Sequence, residues 1–275
     1  MFRTLVGLAA VGLSVTALSQ APPAPPAAAA ATPKTTDGHP DLNGFWGNGP
    51  IGFPLGPVGA KASSTISAPL RNGDISNLTN DNVIARRVSD NMPIYKPEYW
   101  AKVEELDHNG NKMDPFVHCM PPAVPRLGPP AQIIQMPNQI LFFYRVAFQR
   151  NDFKIIPIGP RTHPLDPDGT WTGDSIAKWD GDTLVVETEG FNDQSWIDSQ
   201  GYLHGYNMKT TERFHRDGNS LIYSVTVEDP DYLARPWVIE PQKLGKIDMP
   251  NYYLDDAPPC SDRDADHQVG TQREL

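Results

Sequence analysis

The sequence predicts an all-β protein: an antiparallel up-and-down barrel of lipocalin-like character, with an irregular N-terminal wrap and one short helix. Three observations predict it. From residue 131 onward, short runs rich in β-branched and aromatic residues follow one another with turn residues between them. No helical pattern alternates with these runs, which argues against a βαβ layout. A meander of some eight strands must also hide its edges, and it does so by closing into a barrel or folding into a sandwich. The barrel is the predicted closure.

The elements follow in chain order. Met1-Phe2-Arg3 is a short basic start, "LVGLAAVGLSVTAL" is an apolar run of signal-peptide length, and Ala17 and Ser19 are the small residues a signal peptidase reads. Residues 1–19 are therefore predicted to be a signal peptide, giving a periplasmic or secreted protein that begins near Gln20. An uncleaved membrane anchor is the alternative, and the run is short for it. No cysteine follows the run, which excludes a lipoprotein anchor. Residues 20–38 are a Pro/Ala-rich linker that cannot bury enough apolar surface to fold alone. Residues 39–275 form the single predicted domain.

Removing residues 1–19 deletes one positive charge, Arg3, and takes the formal charge from −10 to −11. So acidic a chain lacks the basic patches that nucleic acid and anionic lipid surfaces require. The predicted partner is a small organic molecule, with no nucleic acid and no membrane after signal cleavage.

From Asp37 to Met120 the chain is rich in Pro, Gly, Asn and Ser. "GHPDLNGFWGNGP" reads as a lead-in strand whose Phe45 or Trp46 plugs something apolar. "PEYWAKVEELDHNG" is the one good helix, with Pro97 at its start, Trp100, Val103 and Leu106 at near-helical spacing, and Asn109-Gly110 at its end. The following "DHNGNKMD" is not a calcium loop, because Lys112 stands where glycine is needed and His118 where a bidentate Glu is needed.

The strands come next. "AQIIQM" and "ILFFYRVAF" flank "PNQ", "FKIIPIG" follows, and "SIAKW" and "TLVVETEGF" flank Asp180-Gly181. "NMKTTERFH" and "LIYSVTVE" flank "RDGNS", and "RPWVIEPQKL" comes last. If Asp180-Gly181 is the two-residue turn, Asp174 pairs with Glu187. Like charges opposite each other are unfavourable in a sheet, so the pair needs a reason. Two close carboxylates sharing a proton, as general acid and base, are one reason. A wet outer face, where the repulsion is screened, is the other.

Alternation in "TTERFH" places Glu212 beside Phe214 on one face. Inward, Glu212 is desolvated and suited to general acid work; alternatively it is a structural partner for Arg145, Arg161 or Arg235. His163 lies in the loop entering the hairpin and His204 in the loop leaving it, where they can meet with Asp193 or Asp198 over one barrel mouth. His108 and His118 sit in polar loops, and His267 in an acidic tail.

Catalytic candidates are thus Asp174, Glu187, His163, Glu212 and His204, with Arg161, Asp193, Trp179 and Tyr144 as substrate-binding candidates. No HxH, HExxH or CxxC spacing calls for a metal, and no cofactor is expected. Cys119 and Cys260 are expected to form a disulfide in an oxidising compartment; the alternative is a nucleophilic Cys119 beside His118.

The run "GDTLVVETEGFND", with "HPDLNGFW", "CMPPAVPR", "RTHP" and "TERF", resembles a large family of exported bacterial proteins abundant in acidobacteria and sphingomonads. The resemblance covers the chain from His39 onward. It implies export and a single whole-length domain, and it implies no particular activity. In that pattern histidine is usual at the position of Asp174 and aspartate at that of Glu187, so a mechanism built on that histidine does not transfer to this chain. Two function classes remain open: an exported enzyme doing acid–base chemistry on a small molecule, as a lyase or isomerase before a hydrolase, or a non-catalytic carrier. A carrier of apolar ligands needs at most one ionisable group inside the barrel; an enzyme needs at least two close together.

Overall fold

A computed structural model describes residues 31–47, 92–146, 150–166, 168–198 and 201–254. The predicted signal peptide, most of the linker and Cys260 lie outside these residues. The strands are β1 (Gly44–Gly47), β2 (Gln132–Gln135), β3 (Gln139–Val146), β4 (Arg150–Pro157), β5 (Asp174–Asp180), β6 (Thr183–Glu189), β7 (Trp196–Asp198), β8 (Tyr202–Leu203), β9 (Lys209–Asp217), β10 (Ser220–Glu228), β11 (Trp237–Val238) and β12 (Gln242–Ile247). A 3₁₀ turn at Pro97–Tyr99 leads into helix α1 (Trp100–His108), followed by a single turn, α2 (Gly110–Met113).

The barrel order is β4-β3-β2-β1-β12-β10-β9-β6-β5, with β11 added to β10 and β7–β8 a separate two-stranded ribbon. Read as a ring this is sequential, so the predicted up-and-down barrel is the fold. It has nine strands because the lead-in strand β1 joins the ring between β2 and β12. An odd ring of alternating strands must close on one parallel pair, and here that pair is β4 and β5. They meet in a single bridge, Ile158 with Ala177, and in the bond from Gly159 N to Ala177 O at 3.1 Å. Parallel neighbours need a crossover connection, and residues 158–173 supply it.

Alternation sorts the side chains. Thr210, Glu212, Phe214 and Arg216 of β9 and Leu221, Tyr223, Val225 and Val227 of β10 are buried, while their neighbours along each strand are more open. Leu184 and Val186 of β6 stand beside Phe214 and Glu212 in register. One barrel end is plugged as expected: Trp46 is buried, its indole N–H donates to Leu42 O at 2.9 Å, and the Arg216 guanidinium lies 5.3 Å over its ring. The last linker residues are already tied down at this end. Gly218 N donates to Thr32 Oγ1, and Lys34 pairs with Asp182.

At the other end α1 packs on the β7–β8 ribbon. A Cβ at Gly201, whose φ is +74°, would stand 2.5 Å from Asp107 N and 2.7 Å from Val103 O, so only glycine permits that approach. Beneath the wrap, Arg126 and Asp114 form a buried two-pronged ion pair at 2.7 and 2.6 Å, with Phe116 under the guanidinium.

The opening hairpin departs from the expected register. Its central turn residues are Gly181 and Asp182, because Gly181, at φ 58°, takes the left-handed first position. An Asp180-Gly181 turn would ask that conformation of Asp180. Every partner therefore moves by two residues. The faces are kept, but Asp174 stands opposite Glu189 and Glu187 opposite Ile176.

Candidate active site

The barrel interior holds a polar cluster in an aromatic setting. Glu212 is 0% exposed. Its Oε1 accepts a 3.0 Å hydrogen bond from Tyr223 Oη, while Oε2 finds no partner among the described residues. Burial raises its pKa, opposed by the charge of Lys154 and by the Tyr223 bond. Tyr144, inward from β3, is also buried, its Oη without a partner among the described residues, and its pKa is pushed well up by burial and by Glu212. Lys154, inward from β4 and 7% exposed, donates to Thr172 O at 3.1 Å. Burial pushes its ammonium down to about 8, against the attraction of Glu212 and Asp174. The rings of Phe142 and Phe214 meet across the interior at 4.9 Å, and Phe214 and Tyr223 at 5.2 Å.

Chemically, this is a carboxyl group whose ionisation burial opposes, two phenols and an amine that sheds its proton more easily than a surface lysine, all away from bulk water. Such convergence of perturbed groups marks a candidate proton-transfer site. Glu212 and Tyr144, both named from sequence, belong to it. Glu212 is bonded by a tyrosine rather than by Arg145, Arg161 or Arg235.

Asp174 and Glu187 do not. They lie on the outer face, with side chains 24% and 40% exposed, and each has its own cation. Asp174 takes Arg161 Nη2 at 2.7 Å and His163 Nδ1 at 2.8 Å; Glu187 takes Lys178 Nζ at 2.8 Å. The expected cavity-facing acid pair is thus replaced by two separate surface ion pairs: the register change parts the two acids, and it is the other face of the hairpin, with Ala177, Leu184 and Val186, that lines the core. Arg161, His163 and Asp174 do come together, and they clamp the crossover to the start of β5. Trp179 stacks on His39 at 4.4 Å at the Trp46 end, away from the Glu212 layer.

His163 and His204 occupy different neighbourhoods. His204 is buried; its Nδ1 donates to Gly205 O at 3.1 Å and its Nε2 accepts from Ser195 Oγ at 2.7 Å. Burial lowers its pKa, so it is a neutral imidazole pinning the loop between β6 and β9. Asp229 secures the same loop through Gly205 N at 2.8 Å. Asp193 is exposed and hydrogen-bonded to Tyr206. No cysteine is free among the described residues, and His118 Nε2 bonds Lys112 O rather than serving Cys119. Cys260, the expected disulfide partner of Cys119, is outside the described residues.

Lys154 and Tyr223 escaped the sequence reading. In "FKIIPIG" alternation suggests Phe and Ile inside and Lys outside; the structure inverts it, leaving Phe153 and Ile155 exposed. Tyr223 carried a usable signal, since it shares a face with Leu221 and Val225.

No protein-family model matches this chain, and neither does any curated protein or solved structure.

Proposed function

We propose that this protein is an exported enzyme acting on a small organic molecule by acid–base chemistry inside the barrel, a lyase or isomerase before a hydrolase. One observation carries the reading: Glu212, wholly buried, keeps one carboxyl oxygen on Tyr223 and leaves the other without a partner among the described residues, with Lys154 and Tyr144 within electrostatic reach. Several ionisable groups close together are what proton transfer needs and what a carrier of apolar ligands has to avoid, because each costs desolvation.

Glu212, protonated, gives its proton to a developing oxyanion and, as carboxylate, removes one from carbon. Tyr223 positions it. The aromatic rings of Phe142 and Phe214 bind the apolar part of the molecule and exclude water. The test is solvent-deuterium exchange, followed by NMR, on a panel of small ketones, aldehydes and hydroxy acids. An enzyme of this kind incorporates deuterium next to the carbonyl or hydroxyl carbon, and Glu212→Gln stops it. Saturable binding with no exchange in any panel member identifies a carrier instead.

A further inference from the structure

We propose that Lys154 is an amine nucleophile that forms a covalent imine with a small apolar or aromatic aldehyde or ketone inside the barrel. This rests on the acid–base reading of Glu212 and names its substrate class. A lysine is rarely buried without an anionic partner. Lys154 is almost fully enclosed, and among the described residues its ammonium makes one hydrogen bond, to a neutral carbonyl, and no ion pair. Its strand also breaks the local rule, turning Lys154 inward and Phe153 and Ile155 to solvent. Such violations of local preference concentrate at functional sites. Phe142, its cross-strand partner, contacts Phe214 two residues from Glu212, which brings the amine, the carboxyl group and an aromatic wall to one interior region.

Desolvation supplies the reactivity. An amine with a pKa of about 8 is partly unprotonated near neutrality, whereas an ordinary surface lysine is almost wholly charged. The Lys154 lone pair attacks the carbonyl carbon as the C=O π electrons move to oxygen. Glu212 protonates that oxygen and takes a proton from nitrogen, giving a neutral carbinolamine. Glu212 then protonates the departing hydroxyl, releasing water and leaving a protonated imine beside its own carboxylate. That carboxylate is placed to remove the adjacent carbon-bound proton, giving an enamine.

The seam between β4 and β5 offers the route inward. Lys154 and the Thr172 carbonyl meet there, where among the described residues a single bridge ties the ring. Binding a carbonyl compound replaces the Thr172 contact with the covalent bond.

The experiment is borohydride trapping of the full-length protein with benzaldehyde at pH 7, followed by peptide mapping. The expected result is benzylation of Lys154 at least roughly tenfold faster than that of Lys102 or Lys178 in the same molecules, exposed surface lysines that serve as internal controls. Glu212→Gln is expected to slow the adduct at Lys154 and leave those controls unchanged. Labelling of Lys154 no faster than the surface lysines overturns the proposal, and because it is read in the unaltered protein, no folding defect can account for it.

Lys154→Arg adds a second readout, with circular dichroism confirming the barrel. Deuterium exchange that survives in Lys154→Arg, with no adduct in the parent, leaves Glu212 chemistry standing and removes the imine. Adduct at Lys154 without any exchange retains the imine and removes the acid–base reading.

Discussion

Tyr223 and Glu212 sit diagonally across β9 and β10 on the inner face, and the phenol donates to the carboxyl group at 3.0 Å. The bond favours the charged form of Glu212, while burial disfavours it more strongly. Tyr223→Phe is therefore expected to raise the Glu212 pKa further. It also leaves Oε1 unpartnered, at about 1–3 kcal/mol of stability. Urea denaturation and the pH dependence of deuterium exchange check the two parts separately.

Glu212 makes the fold less stable as pH rises. Its folded pKa lies above the unfolded value of about 4.3, so its contribution is complete below that value and declines as pH rises through the folded one. Glu212→Gln is expected to flatten this decline and to be the more stable protein at neutral pH. Paired denaturation curves at pH 5 and pH 7.5 decide it.

Lys154 has the opposite slope. Its folded pKa of about 8 lies below the ordinary lysine value of 10.5, so stability rises with pH across that interval and is lost as pH falls through 8. Lys154→Met removes the slope. The comparison belongs below pH 9.5, because Tyr144 and Tyr223 resist ionisation in the folded state and weaken it above pH 10.

The fold was legible because strand alternation and turn residues are local properties. Thr210, Glu212, Phe214 and the inward residues of β10 all obey them. The site was half legible. Glu212 announced itself by alternating with Phe214, but Lys154 sits in a strand whose pattern points the other way. Nothing local shows that Phe142 and Phe214, far apart in the chain, meet across the barrel. The hairpin failed for a narrower reason. "WDGDT" allows either Asp180-Gly181 or Gly181-Asp182 as the turn, and the choice moves each acid's partner by two residues without changing its face.

Asp114 and Arg126 supply a test of the N-terminal wrap. Removing one partner strands a buried charge, so Asp114→Ala or Arg126→Met is expected to cost about 3–5 kcal/mol. Replacing both with apolar residues should cost far less. A double-mutant cycle by chemical denaturation measures the difference.

Glu187→Gln is expected to change stability by no more than about 0.5 kcal/mol, since its partner is an exposed lysine. Asp174→Asn releases the crossover instead. Hydrogen exchange by mass spectrometry should rise over residues 158–173 while the β9–β10 hairpin stays protected.

Nine alternating strands around a ring pose a parity problem: somewhere two neighbours must run the same way. Local repair cannot remove that mismatch, just as an odd ring of alternating spins always keeps one frustrated bond; it can only be assigned a position. In this protein it falls between β4 and β5, where a single bridge holds the ring and the long crossover returns. The mismatch creates a built-in weak point beside Lys154, so the barrel has a defined place to yield without unzipping any antiparallel ladder. A variant with one strand fewer could close perfectly and would lose that place.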